Sequence, residues 1–175
     1  MKRVAVFGNA GGGKSTLARR LAALTGLPLY PLDLIQFTAA GEVPRAQYLA
    51  AHAALLRRDA WIIDGYGTTE TAWERFAVAD TLVYVDLPRR THYWWIVKRH
   101  LKSPWVEPEG WPDNSPMWES TLSALRVVGR CDRHLMPKYR ALVAEAAASK
   151  RVHHLHSPGE MQLFLDSVED ERASL

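Results

Sequence analysis

Residues 8 to 16 read Gly8-Asn9-Ala10-Gly11-Gly12-Gly13-Lys14-Ser15-Thr16. This fits G-x-x-x-x-G-K-[ST], a loop whose backbone N–H groups turn inward on phosphate oxygens. Glycines permit the tight turn. Lys14 is placed to reach the β- and γ-phosphates, and the Ser15 hydroxyl to sit on Mg²⁺. The helix that starts here adds the positive end of its dipole. Cofactor binding is therefore expected over Gly8, Asn9, Ala10, Gly11, Gly12, Gly13, Lys14, Ser15 and Thr16, with the phosphates of a nucleotide and Mg²⁺ as the bound species.

Phosphoryl transfer needs further groups at the ends of strands, where open α/β sheets bind their ligands. Asp64 follows the apolar run Trp61-Ile62-Ile63 and is the second candidate metal ligand. Asp33 closes Leu29-Tyr30-Pro31-Leu32 and is placed to orient or deprotonate an acceptor hydroxyl. Asp86 also ends a strand, but Asp86-Leu87-Pro88 reads as a turn. Arg75 and Tyr66 are candidate contacts to the acceptor, and Arg45 is a weaker one. Charge on the transferring group must be neutralised by cations. Arg89, Arg90, Lys98, Arg99, Arg126, Arg130 and Arg133 are available, and Arg99 and Arg130 are the catalytic choices. Arg126 and Arg130 lie one helical turn apart.

The elements that must position these groups follow from periodicity. Val4-Ala5-Val6-Phe7 reads as a buried strand, and Leu17, Leu21 and Leu24 share one face of the helix behind the loop. Strands are also expected over Leu29–Leu32, Trp61–Ile63, Thr81–Val85 and Arg151–Leu155. Residues 38–44 read as a loop, 45–58 as an amphipathic helix with Tyr48, Leu49, Leu55 and Leu56 inward, 68–78 as a short helix and 89–101 as another. Residues 102–118, rich in Pro and Trp, are irregular. A long helical stretch then runs to about Ala148, bent or broken near Gly129 and Pro137. Residues 158–168 make a final helix. Continuous apolar strands alternating with helices predict a parallel sheet covered on both faces.

Composition narrows the functions. The chain has 175 residues, enough for one domain with a normal core, and 22 basic against 19 acidic residues give a net charge of +3. No Lys/Arg run exceeds two residues, so nucleic acid is not the expected partner despite an isoelectric point of about 9.1. Cys131 is the single cysteine, which excludes an intrachain disulfide and points to a reducing, cytoplasmic setting. No apolar stretch is long enough to span a membrane, and no signal peptide is expected. His153, His154 and His156 are close in sequence. Neighbouring strand residues face opposite sides and no cysteine pair accompanies them, which argues against a zinc site. Trp94 and Trp95 cannot both face the core. With Trp105, Trp111 and Trp118 they form a candidate aromatic lid.

The loop at 8–16, Leu32-Asp33, Trp61-Ile62-Ile63-Asp64-Gly65-Tyr66, Arg75 with Ala79-Asp80-Thr81, and Val85-Asp86-Leu87-Pro88-Arg89 resemble, in order and spacing, the adenylate-kinase-like P-loop proteins labelled DNA topology modulation protein (FlaR-related). The resemblance covers about residues 1–168. It implies an α/β P-loop NTPase fold of nucleoside-monophosphate-kinase type, a five-stranded parallel sheet in order 2-3-1-4-5 flanked by helices, with a lid. A single domain over 1–175 is expected, with the acceptor region near 34–60 and the lid near 102–120. The implied activity is transfer of the γ-phosphoryl of Mg-ATP to a small acceptor, by a monomer or homodimer. Related proteins carry an arginine four residues before the one matching Arg99, and here that position is Trp95. This departure motivates the alternative of a nucleotide-dependent regulatory protein with little or no turnover.

Overall fold

The computed structural model describes residues 1–38, 41–102 and 117–174, with side chains described outside 99–102, 117–121 and 123–124. The expected lid tryptophans Trp105 and Trp111, and the side chains of Trp118 and Arg99, lie outside the described residues.

Five parallel strands form the main sheet: β1 (Arg3–Gly8), β2 (Leu29–Pro31), β5 (Trp61–Asp64), β6 (Thr81–Val85) and β7 (Arg151–Leu155). Their spatial order is β2-β5-β1-β6-β7. Counted among these five strands alone, that is the expected order 2-3-1-4-5. The labels differ because residues 38–44, expected as a loop, contribute to a small antiparallel hairpin of β3 (Phe37–Thr38) and β4 (Gly41–Glu42). All four hairpin residues are exposed, so no alternating apolar pattern announces it.

Each central strand is buried on both faces, which is why it is apolar throughout. One face of the sheet presents Val4, Val6, Ile62, Val83 and Val85 to Leu17 and Leu21 of α1 (Lys14–Thr25) and Phe164 and Leu165 of α8 (Pro158–Ala173). The other presents Ala5, Phe7, Trp61, Ile63, Leu82 and Tyr84 to α3 (Arg45–Leu56), α4 (Thr69–Val78) and α7 (Met136–Ala146). Full burial of each large side chain contributes about 1.5–3 kcal/mol. The remaining helices are a single turn, α2 (Asp33–Gln36), and the packed pair α5 (Arg89–Lys102) and α6 (Met117–His134).

The long helical stretch divides once, at Leu135, between α6 and α7. Pro137 forces that break because its ring and missing N–H are tolerated only in a first turn. Gly129 lies within α6, where the expected second interruption does not occur. In α3 the inward positions are Tyr48, His52 and Leu55, and Leu49 and Leu56 are only half-buried. The helix expected over 158–168 continues to Ala173 with a polar last turn.

Candidate active site

The phosphate loop rises from the C-terminal end of β1, in the middle of the sheet. Gly11 and Gly13 adopt left-handed backbone angles, φ 66° and 72°, which non-glycine residues reach only with strain. Gly13 is the N-cap of α1 and supplies no side-chain acceptor to the first turn. The N-terminal amides of α1 thus carry no side-chain cap, the arrangement that receives an anion. Lys14 lies back across the loop and donates from Nζ to the Asn9 carbonyl at 2.7 Å. Ser15 and Thr16 are exposed on the first turn of α1.

Two helices hold this loop in place. The Asn9 side chain is 2 % exposed; it donates to the Val128 carbonyl on α6 at 3.1 Å and accepts from the Ala10 amide at 2.8 Å. From α5, His92 Nδ1 lies 2.8 Å from the Ala10 carbonyl, which assigns the ring proton to Nδ1. Burial lowers the His92 pKa; the Ala10 bond opposes the shift and the Lys14 charge adds to it. Alpha-carbon substituents are excluded here: a Cβ on Gly11, Gly12 or Gly13 would meet Ile96, His92 or Trp95 at 2.7, 2.8 and 2.8 Å. Three glycines therefore admit α5 to the loop as well as leaving its amides open. Sequence reading missed His92 entirely, because an isolated histidine in a helix carries no pattern.

Asp64 ends β5, paired in register with Val6 two residues before the loop begins. It is 4 % exposed, and its Oδ1 has no hydrogen-bond partner among the described residues. Asp33 opens α2 beside it; its Oδ1 would lie 3.6 Å from a Cβ on Gly65. Desolvation raises the Asp33 pKa, the Asp64 charge raises it further, and Lys14 opposes both. These mutual influences bring Lys14, Asp33 and Asp64 within electrostatic reach of one another.

Arg75 is fully buried on α4. Its Nη2 donates to the Gly65 carbonyl at 2.8 Å, while Nε and Nη1 have no partner among the described residues. Burial drives its pKa down to about 10, against the pull of Tyr139, Tyr48 and Asp64. Tyr66 is 38 % exposed, with its hydroxyl 2.6 Å from Thr69 Oγ1.

A pocket of about 260 Å³ opens beside the end of the loop, lined by Gly13, Thr16, Leu17, Trp95, Pro158 and Met161, with Arg20 and Gln162 also on its wall. Of the adjacent tryptophans, Trp95 faces this pocket and Trp94 is 60 % exposed, as their neighbouring helix positions require.

The other cations divide. Arg130 is exposed on α6, yet its charge and that of Lys14 both act on Cys131, so this part of α6 flanks the loop. Arg126 and Arg133 are exposed on the same helix. Arg89 pairs with Asp132 at 3.6 Å, and Arg45 with Glu70 at 2.9 Å. Burial raises the Cys131 thiol pKa, keeping it protonated. Asp86 accepts from Arg140 Nε and Nη2 at 2.8 and 2.9 Å, in keeping with a structural role.

No family model matches the chain, and no curated protein matches it. Solved structures do. The chain is similar to a shikimate kinase from Acinetobacter baumannii, in complex with shikimate: identity is 17 %, TM-score 0.58, with 99 % of this chain and 94 % of that one covered. It is similar also to a shikimate kinase from Bacteroides thetaiotaomicron: identity 13 %, TM-score 0.56, with 98 % of each chain covered. No helix among the described residues is long and apolar enough to cross a membrane. The five-stranded parallel sheet flanked by helices is the fold this chain shares with those two structures.

Proposed function

We propose that this protein is a small-molecule kinase, carrying the γ-phosphoryl group of Mg-ATP to a hydroxyl of a small anionic acceptor. The observation that carries this reading is the convergence of the uncapped α1 terminus, Lys14, Asp64 and Asp33 at the C-terminal end of the parallel strands. Triphosphate oxygens are bound by the amides of Gly8 to Thr16 and by Lys14, which leaves the Asn9 carbonyl to do so. The base enters the pocket beside Gly13 and stacks on Trp95.

Asp64 and Ser15 fit a magnesium ion: a buried carboxylate oxygen lacks a partner, and a hydroxyl stands on the first turn of α1. When bound, the ion supplies charge neutralisation of the phosphates. Asp33 orients the acceptor hydroxyl and takes its proton. The acceptor oxygen forms the new bond to phosphorus, the bond to the bridging oxygen breaks, and ADP leaves. Lys14 and Arg130 stabilise the charge on the group in flight, with Arg99 as the further cation.

Arg75 gives the acceptor its sign. A buried guanidinium with two unpartnered nitrogens is costly unless an anion meets it. An acceptor bearing a carboxylate or phosphate, held between Arg75, Tyr66 and Asp33, supplies that anion. The second reading, a nucleotide-dependent regulatory protein, is favoured by Trp95 alone, which gives a stacking surface and no charge.

The test is ADP release from Mg-ATP with an acceptor panel of shikimate, gluconate, nucleoside monophosphates and uncharged nucleosides. An anionic hydroxy acceptor is expected to raise ADP release well above the background, and uncharged nucleosides to leave it flat. ATP binding with no acceptor response across the panel overturns the kinase reading in favour of the regulatory one.

A further inference from the structure

A second group of chemistry-bearing side chains lies at the ends of β6 and β7, outside the residues assigned to phosphoryl transfer. The two strands run parallel, with Tyr84 beside His154 and Val85 beside Leu155. The Asp86 amide continues the ladder by donating to the Leu155 carbonyl at 2.8 Å. Alternation along a strand then sets His154 and His156 on one face, opposite to His153. The contacts agree: His153 packs on Phe164 of α8, and His154 stacks on Tyr84 across the other face. The alternation that argues against all three histidines acting together brings two of them together with Asp86.

The geometry is compact. His154 Nε2 lies 3.0 Å from Asp86 Oδ2, and the rings of His154 and His156 have centroids 4.0 Å apart. One ligand atom from each of Asp86, His154 and His156 lies within 4.8 Å of the other two. Tetrahedral coordination at the usual zinc distances places donor atoms about 3.3–3.5 Å apart, within reach of small side-chain rotations. Arg140 occupies one acceptor site on each Asp86 oxygen and His154 Nε2 a further one on Oδ2, of the about four sites a carboxylate has. Arg140 orients the carboxylate, and an ion between Asp86 and His154 would take the place of their direct hydrogen bond. Among the described residues no side-chain hydrogen bond fixes the His156 ring. Two imidazoles and a carboxylate select a borderline transition ion over Mg²⁺, which prefers oxygen.

We propose that Asp86, His154 and His156 bind one zinc-class divalent ion, at a site separate from the nucleotide's magnesium. The ion joins the ends of β6 and β7 and stabilises the fold with the logarithm of its free concentration above Kd. This inference is independent of the kinase reading.

The experiment is titration of chelator-treated full-length protein with Zn²⁺ against a competing chromophoric chelator, with thermal unfolding of the same samples. Wild type is expected to take up one ion per chain, undisturbed by a large excess of Mg²⁺. His156→Ala, at an exposed position, and His154→Ala are expected to weaken binding by at least about tenfold each. His153→Ala is expected to bind as wild type. Zn²⁺ should raise the unfolding midpoint of wild type and His153→Ala and not that of His156→Ala. Unchanged affinity in His156→Ala, displacement by Mg²⁺, or no uptake by wild type overturns the proposal.

Discussion

Lys14 and Arg75 are both cations, and their surroundings assign them different work. Among the described residues Lys14 donates to a loop carbonyl alone, at 2.7 Å, and can exchange that bond for a phosphate oxygen. Lys14→Ala is predicted to lower the transfer rate by about 10²–10³-fold, the usual cost of removing one charge partner of a transition state; kcat with the best acceptor measures it. Arg75 sits with one good hydrogen bond and two idle nitrogens in the interior. Replacing such a charge by an apolar residue of similar length is often neutral for stability. Arg75→Met is therefore predicted to unfold within about 1–2 kcal/mol of wild type, while KM for the anionic acceptor rises at least tenfold. Urea titration and acceptor kinetics on one preparation separate the two, and an unchanged KM removes Arg75 from the acceptor site. Asp64 and Lys14 were legible from spacing alone, since a carboxylate after an apolar run and a lysine after glycines are local patterns. The Asn9 tie to Val128 was not legible, because it joins residues 119 positions apart.

At the scale of elements, α5 decides what the glycine loop can hold. His92, Trp95 and Ile96 stand where a Cβ on Gly12, Gly13 and Gly11 would be, so loop and helix fit only as a pair. Trp95 also walls the pocket proposed for the base. Stacking of a base on an aromatic ring contributes about 1–3 kcal/mol, so Trp95→Ala is predicted to weaken Mg-ATP binding by between about fivefold and about 150-fold. Inorganic tripolyphosphate, which has no base, should bind both proteins equally. Calorimetry with the two ligands reads the difference, and equal loss for both would place Trp95 at the phosphates instead. The strands β6 and β7 match the sequence expectation residue for residue; β6 is a fully buried, largely apolar run, whereas β7 is a half-buried edge strand with only Val152 and Leu155 apolar. The β3–β4 hairpin and the single break at Leu135 were less legible. The first has no buried face, and in the second tertiary packing keeps Gly129 helical.

The whole molecule stores a pH dependence in its buried histidines. His52 is 1 % exposed on α3, with Nε2 unpartnered among the described residues and Nδ1 3.8 Å from the Glu74 carboxylate. Burial, and then the nearby Arg75 charge, push its pKa from 6.5 down to about 4. An unfolded chain binds this proton and the folded one does not, so stability is full above about pH 6.5. It falls as pH drops toward 4, by on the order of 2–3 kcal/mol from this residue. His92 shifts in the same direction. His52→Gln is predicted to flatten the decline of the unfolding midpoint between pH 7 and pH 5, and an unaltered slope would remove His52 as its source. The apolar strands and glycine loop made this architecture readable from sequence. Asp33, expected at a strand end, stands instead in the first turn of α2, two residues after β2 ends at Pro31. The most direct measurement is transfer of labelled γ-phosphoryl from saturating Mg-ATP to the acceptor, by wild type and by Asp33→Asn, with ATP affinity measured on both. The account predicts equal ATP affinity and a loss of about 10²-fold or more in transfer for the variant. Label passing to the acceptor at the wild-type rate in Asp33→Asn, or released only as inorganic phosphate by both proteins, would contradict it.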